Sequence, residues 1–173
     1  MSDVPTLETG RLRMRRHEVS DFEPMLEMWT NPHVTRFIGG KPSSRPDTWA
    51  RLLRYIGHWT ALDYGYWAVE DKVSSRYLGE IGFADFKREV QPSFDGIPEI
   101  GWAMAPWAHG QGYATEGVKA ALEWGRRRFE GTRVVCMINS DNTASIKVAK
   151  KAGFRQYAQN EYEGSTTLFF ERV

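Results

Sequence analysis

Near the start of the chain Leu12 and Met14 alternate with Arg11, Arg13 and Arg15, the two-residue period of a half-buried strand. A helix is expected next. Ser20 and Glu23 have the spacing of a capping box, Phe22, Met25, Leu26 and Trp29 supply an apolar face, Pro24 is tolerated in the first turn, and Asn31-Pro32 ends the helix. Phe37 to Pro46 contains two glycines and two prolines and reads as a loop. A second helix follows, with Trp49, Leu52, Leu53, Ile56 and Thr60 at helical spacing and Ser44 as its cap. Tyr66 to Val69 and Tyr77 to Phe86 then read as two strands of a hairpin around the polar segment from Asp71 to Arg76, and residues 87–98 as the next loop.

Glu99 to Ala105 is a buried strand stopped by Pro106. From Gly112 the positions Ala114, Val118, Ala121, Leu122, Gly125 and Phe129 are separated by 4, 3, 1, 3 and 4 residues, a sustained helical period. Arg133 to Ile138 is β-branched and strand-like, Thr143 to Ala152 a short helix ended by Gly153, and Tyr157 and Thr166 to Phe170 fall in two final strands. The expected order is β, α, α, three or four antiparallel strands, α, β, α, β, β. That is a mixed α/β fold with one central sheet, read as a single domain over residues 1–173.

Composition narrows the partners. Twenty-three basic residues against 22 acidic ones give a net charge of +1, which implies no general attraction to nucleic acid or to a membrane surface. Hydrophobic residues at 41% suffice for a core. The single cysteine, Cys136, excludes an intrachain disulfide framework; it lies in the apolar run Val134-Val-Cys-Met-Ile and reads as a buried hydrophobe, not a nucleophile. No signal-length apolar stretch opens the chain, so a cytoplasmic location is expected. His17, His33, His58 and His109 lack metal-ligand spacing, and no metal is expected.

The chemistry concentrates in Trp107-Ala-His109-Gly110-Gln111-Gly112-Tyr113-Ala114-Thr115, which joins a strand to the N-terminus of a helix. Unpaired N–H groups and the helix dipole make such a junction a natural phosphate site, and glycines let a ligand approach the backbone. The dinucleotide fingerprint fails, because Gly112 plus three is Thr115 and no strand-helix-strand repeat precedes it. A P-loop fails for want of Gly-Lys-Ser/Thr. A tight turn without a ligand is the competing reading.

His109-x-x-Gly112-x-Ala114, after Glu99-Ile-Gly-Trp-Ala-Met-Ala-Pro and before Thr115-Glu116, resembles the acyl-CoA pyrophosphate loop of the GNAT superfamily of N-acyltransferases. Leu7-Glu-Thr-Gly-Arg-Leu, Asn142-x-x-Ser145 and Gly153-Phe154 are similar to the branch containing ribosomal-protein-alanine N-acetyltransferases. One departure is His109, where the family usually has Arg or Gln. The resemblance implies a mostly antiparallel, partly splayed sheet flanked by helices. It also implies acetyl-CoA as acyl donor, held by the loop residues His109 to Thr115, the backbone of Trp102, Ala103 and Met104, and Asn142. The branch further implies Ser145 as proton donor to the coenzyme thiolate, because the tyrosine many members use four residues before the Gly-Phe glycine is Ala149 here.

Direct transfer needs a neutral amine. An α-amine titrates near roughly 8 and a lysine near roughly 10.4, so near neutral pH deprotonating lysine costs about 3 kcal/mol more. Glu161, before Tyr162 and Gly164, lies in a segment similar to the one that carries the catalytic glutamate in the ribosomal-protein branch, and Glu161 and Glu99 are the candidate bases, acting directly or through water. Trp29, Phe37 and Tyr162 are expected to line the acceptor entrance. The leading expectation is an acetyl-CoA-dependent N-acetyltransferase, a monomer or homodimer, acting on a primary amine such as a peptide or protein N-terminus. Acetylation of a small-molecule amine or antibiotic, and a non-catalytic acyl-CoA-binding module, are the alternatives.

Overall fold

The computed structural model describes residues 3–173. The alternating Leu12–Arg15 segment forms strand β2, preceded by a two-residue strand β1 (Leu7–Glu8) that no periodicity announced. β3 (Tyr66–Asp71), β4 (Tyr77–Ala84) and β5 (Glu99–Met104) follow, and β6 (Val134–Asn139), β7 (Arg155–Tyr162) and β8 (Ser165–Arg172) complete one eight-stranded sheet in the order β1-β2-β3-β4-β5-β6-β8-β7. β1 to β5 pair antiparallel, as do β6 with β8 and β8 with β7. The one parallel contact joins β5 to β6 through Glu99 and Val135, after which the two strands part. The expected splayed, mostly antiparallel sheet is therefore present.

Helices α1 (Phe22–Trp29), α2 (Pro32–Thr35) and α3 (Arg45–Leu62) lie between β2 and β3, α4 (Tyr113–Arg128) between β5 and β6, and α5 (Thr143–Lys151) between β6 and β7. The box entering α1 differs from the expected Ser20 and Glu23. Glu18 and Asp21 form it across a short 3-10 turn, and Asp21 also takes Arg15 at 2.8 Å. Asn31 does end α1, but its side chain then caps α2. Ser44 caps α3 as expected, accepting from Asp47 N–H at 3.1 Å, although Arg45 and Pro46 already belong to the helix. The buried face of α3 is Thr48, Leu52, Tyr55 and Trp59. Trp49 and Leu53 are exposed, because their apolar spacing competes with a second stripe one position away, and the sheet takes that stripe.

Each sheet face carries its own core. Leu12, Met14, Trp67, Val69, Ile81 and Phe83 pack with Val118, Ala121 and Leu122 of α4. On the opposite face Tyr66, Ala68 and Ala103 pack with Met25, Met28 and Trp29 of α1 and Leu52 and Tyr55 of α3. β4, buried along all its length, is the floor of both. No helix of the described residues is long and apolar enough to cross a membrane.

Close strand packing sets a local limit. A Cβ on Gly82 would collide with the backbone of Gly65 and Tyr66, whereas one on the exposed Gly57 of α3 would meet nothing. In urea unfolding, Gly82→Ala should lower stability by about 2 kcal/mol, through overpacking against backbone that must move. Gly57→Ala should raise it by about 0.5–1 kcal/mol, because alanine restricts the unfolded chain at a helical position. Equal midpoints for the two variants would contradict this account.

Candidate active site

The parting of β5 and β6 opens a groove of about 470 Å³, lined by Trp102, Ala103 and Met104 of β5, by His109, Gly110, Gly112, Tyr113, Ala114 and Thr115 at the start of α4, and by Asn142, Ser145 and Val148 on the other side. Gly110 and Gly112 have φ of 73° and 79°, left-handed conformations that carry the chain tightly into the helix. The first hydrogen bond of α4 runs from Glu116 N–H to Gly112. The N–H groups of Tyr113, Ala114 and Thr115 thus stand ahead of the helical ladder, with the positive end of the dipole. Lys147 and Lys151 of α5 add positive charge to the wall. The loop can hold an anion.

The loop is braced from the N-terminal end of the chain. Glu116 accepts from Thr9 Oγ1 at 2.5 Å and from Arg11 Nε at 2.8 Å, and Arg11 Nη1 donates to the Gln111 carbonyl at 2.9 Å. His109 Nε2 lies 2.7 Å from the Met104 carbonyl oxygen, so that nitrogen carries the proton and the ring is tied to β5. Gln111 does not line the groove; its amide donates to Trp107.

A second, inner cavity of about 140 Å³ adjoins the groove, and Phe37, Ile38, Trp102, Ala103, Asn142 and Ser145 line both. Asn142 caps α5 by accepting from Ser145 N–H at 3.2 Å, which sets Ser145 at the junction. Glu99 lines the inner cavity. Its Oε2 accepts from Arg88 Nε at 2.8 Å, and its Oε1 takes no hydrogen bond from the described residues. Burial pushes the Glu99 carboxyl above the usual carboxylate range, against the pull of Arg88.

Glu161 is placed elsewhere. It is exposed on β7, accepts from Thr166 Oγ1 at 2.7 Å, and lines neither space, because the strand alternation that turns its neighbour Tyr162 inward turns Glu161 out. Tyr162 reaches the site indirectly, accepting from Arg88 Nη1 at 3.3 Å. Phe37 lines both the cavity and the groove. Trp29 does so from its inner wall and not from an entrance, being buried and donating from Nε1 to Glu80 at 3.1 Å.

Glu80, Arg51, Tyr55, Tyr66 and Arg88 also line the inner cavity and were missed in the sequence. Glu80 is fully buried on β4, and burial raises its carboxyl too. A lone carboxylate in the apolar run Tyr77 to Ala84 was its visible signal.

A family model described as "Acetyltransferase (GNAT) domain" matches residues 11–155. The chain belongs to the GNAT acetyltransferase family. Members of this family use acetyl-CoA. YkkB of Bacillus subtilis (strain 168), an uncharacterised protein, is 30% identical over 158 residues, 88% of this chain and 87% of its own. A putative GnaT-family acetyltransferase from Bordetella pertussis superposes with a TM-score of 0.86 at 31% identity, covering 98% of this chain and 99% of that one. RimL, a ribosomal L7/L12 α-N-protein acetyltransferase solved in complex with coenzyme A, has a TM-score of 0.77 at 17% identity over 98% of each chain, a likeness of fold alone. The GNAT fold thus accounts for the split sheet and its groove.

Cys136 shares the inner cavity wall, yet it is 2% exposed and burial pushes its thiol up, away from thiolate. In the folded protein at pH 8 its labelling by a thiol reagent should be at least about tenfold slower than in the urea-unfolded chain, since only thiolate reacts. Equal rates would make it a reactive site.

Proposed function

We propose that residues 1–173 form one N-acetyltransferase domain that passes the acetyl group of acetyl-CoA to a primary amine by direct attack in a ternary complex. The observation that carries this reading is the continuity of two spaces. The groove has an anion-binding helix start at one end and meets, at Asn142 and Ser145, a small cavity containing a carboxylate with a free oxygen. Coenzyme phosphates belong over Gly110 to Thr115, and the pantetheine arm along the open edge of β5 at Trp102, Ala103 and Met104.

In this reading Glu99 Oε1 removes a proton from the acceptor ammonium, directly or through a water. The amine lone pair forms the new N–C bond at the thioester carbonyl. The tetrahedral intermediate collapses with cleavage of C–S, the electron pair leaves on sulfur, and the second amine proton passes to the thiolate. Ser145, at the junction, donates a hydrogen bond to that sulfur. Glu99 is favoured over Glu161 as base because it alone of the two faces the cavity. The ion pair with Arg88 orients it, and burial lifts its basicity toward the working range.

The test is coenzyme-thiol release with N-terminal peptides and small amines supplied in parallel. Glu99→Gln should lower kcat/KM by about 10² or more, as removal of a general base does. For the wild type kcat/KM should rise with pH through a Glu99 pKa above the ordinary glutamate value, since the deprotonated form is the active one, and the variant should lose that limb. Ser145→Ala should lower kcat by about tenfold at nearly unchanged coenzyme affinity, about 1.4 kcal/mol of lost transition-state stabilisation. Glu161→Gln should cost at least tenfold less than Glu99→Gln. Turnover of Glu99→Gln within twofold of wild type would remove Glu99 as base, and coenzyme binding with no amine acetylated would favour the non-catalytic module.

A further inference from the structure

Two pairs of guanidinium and carboxylate line the inner cavity, and they are built differently. Arg88 touches Glu99 directly. Arg51 and Glu80 meet only through a phenol: Tyr55 Oη donates to Glu80 Oε1 at 2.5 Å and accepts from Arg51 Nη1 at 3.3 Å. Glu80 takes two further hydrogen bonds, from Trp29 Nε1 and Tyr77 Oη, both at 3.1 Å. A carboxylate has about four acceptor positions, so the protein itself fills most of those on Glu80.

Arg51 is the reverse case. A guanidinium carries five N–H donors, and the bond to Tyr55 is the one that Arg51 makes among the described residues. Its Nε is enclosed without a partner, and its Nη2, which makes no hydrogen bond either, is not enclosed. The guanidinium carbon sits 3.7 Å from the centre of the Trp29 ring, and that contact limits how far its donors can wander before binding. Buried donors without acceptors are costly, and Glu80 has almost no capacity left for them. The cavity therefore lacks an acceptor at Arg51, and a negatively charged, planar one suits a guanidinium best.

We propose that Arg51 binds a carboxylate on the acceptor, and that the substrates are small primary amines carrying a carboxylate. This rests on the acetyl-transfer reading above, with the amine at Glu99 and the carboxylate at Arg51, both on the wall of one cavity. The size agrees: about 140 Å³ is well below the roughly 300–1,000 Å³ of pockets for drug-sized ligands. An internal pairing also explains how four ionisable side chains share this space. Glu80 is joined to Arg51 through Tyr55, and the zwitterionic acceptor adds one charge of each sign.

Free α- and ω-amino acids, their carboxamides and the corresponding decarboxylated amines should be compared at saturating acetyl-CoA, with rates referred to the neutral amine fraction. For the best acceptor the carboxylate form should have a kcat/KM at least tenfold above its carboxamide, expressed mainly in KM. Arg51→Met, which keeps the packing on Trp29, should bring that ratio to about one, and Arg51→Lys should restore part of it. A carboxamide, a decarboxylated amine or an N-terminal peptide used by the wild type as well as any carboxylate form overturns the proposal without any variant. An unchanged ratio in Arg51→Met overturns it as well. Failure to acetylate any amine while coenzyme binds would sink the acetyl-transfer reading with it, an outcome distinct from turnover without carboxylate preference.

Discussion

The separation of β5 from β6 is the constraint on which the rest depends. The strands share one register pair, Glu99 with Val135, and Val135 N–H reaches the Pro98 carbonyl at 3.1 Å. Beyond that point β5 is fully paired to β4 and β6 to β8, each on its far side only. The facing edges carry backbone groups that need partners from outside the sheet. An extended ligand with amide groups can supply them, and the groove between two otherwise regular halves of the sheet leaves room for one.

The charges around this opening follow from what burial permits. An isolated buried carboxylate would be protonated or expelled, so each one here comes with donors: Arg88 for Glu99, and Trp29, Tyr55 and Tyr77 for Glu80. The two are nonetheless unequal. Glu80 is hydrogen-bonded on both oxygens, which makes it a holder of side chains; Glu99 is bound on Oε2 alone among the described residues and lines the cavity. The same accounting extends to the loop, where a network of Thr9, Arg11 and Glu116 spans more than 100 residues of sequence to hold the helix start.

The groove lining was legible in the sequence because it is contiguous. Gly110, Gly112 and the first turn of α4 bring their own backbone geometry, and Asn142 with Ser145 is one capped turn, so local spacing carries the information. The inner cavity is assembled in large part from α1, α3, β3, β4 and β5, and each contribution taken alone resembles core. Tyr55 and Tyr66 stack at 4.4 Å, and nothing in either segment announces the other. Helical periodicity put Trp49 and Leu53 inside because two overlapping stripes on α3 fit the same period. Glu161 was misplaced by a different route. Motif position fixes a residue along the strand, but one step of alternation decides which face it occupies, and Tyr162 took the inner one.

β5 serves both sides at once, and its side chains are graded accordingly. Glu99 sits where the strands still touch, so the carboxylate is fixed at the closed end of the split. Two residues on, a Cβ at Gly101 would strike the Tyr66 hydroxyl. That hydroxyl therefore occupies the place of a β5 side chain, and it does so from β3, where burial first and the nearby Glu99 carboxylate second push the phenol's pKa up. Tyr66 is itself fixed by its main chain, whose carbonyl oxygen takes Trp59 Nε1 at 3.0 Å and lies 3.2 Å from His17 Nδ1. Further along, Trp102, Ala103 and Met104 border the wider groove. Glycine at position 101 is thus required less by its own backbone than by a neighbour: it allows a rigidly held phenol from β3 to reach the edge of β5, where the inner cavity meets the groove.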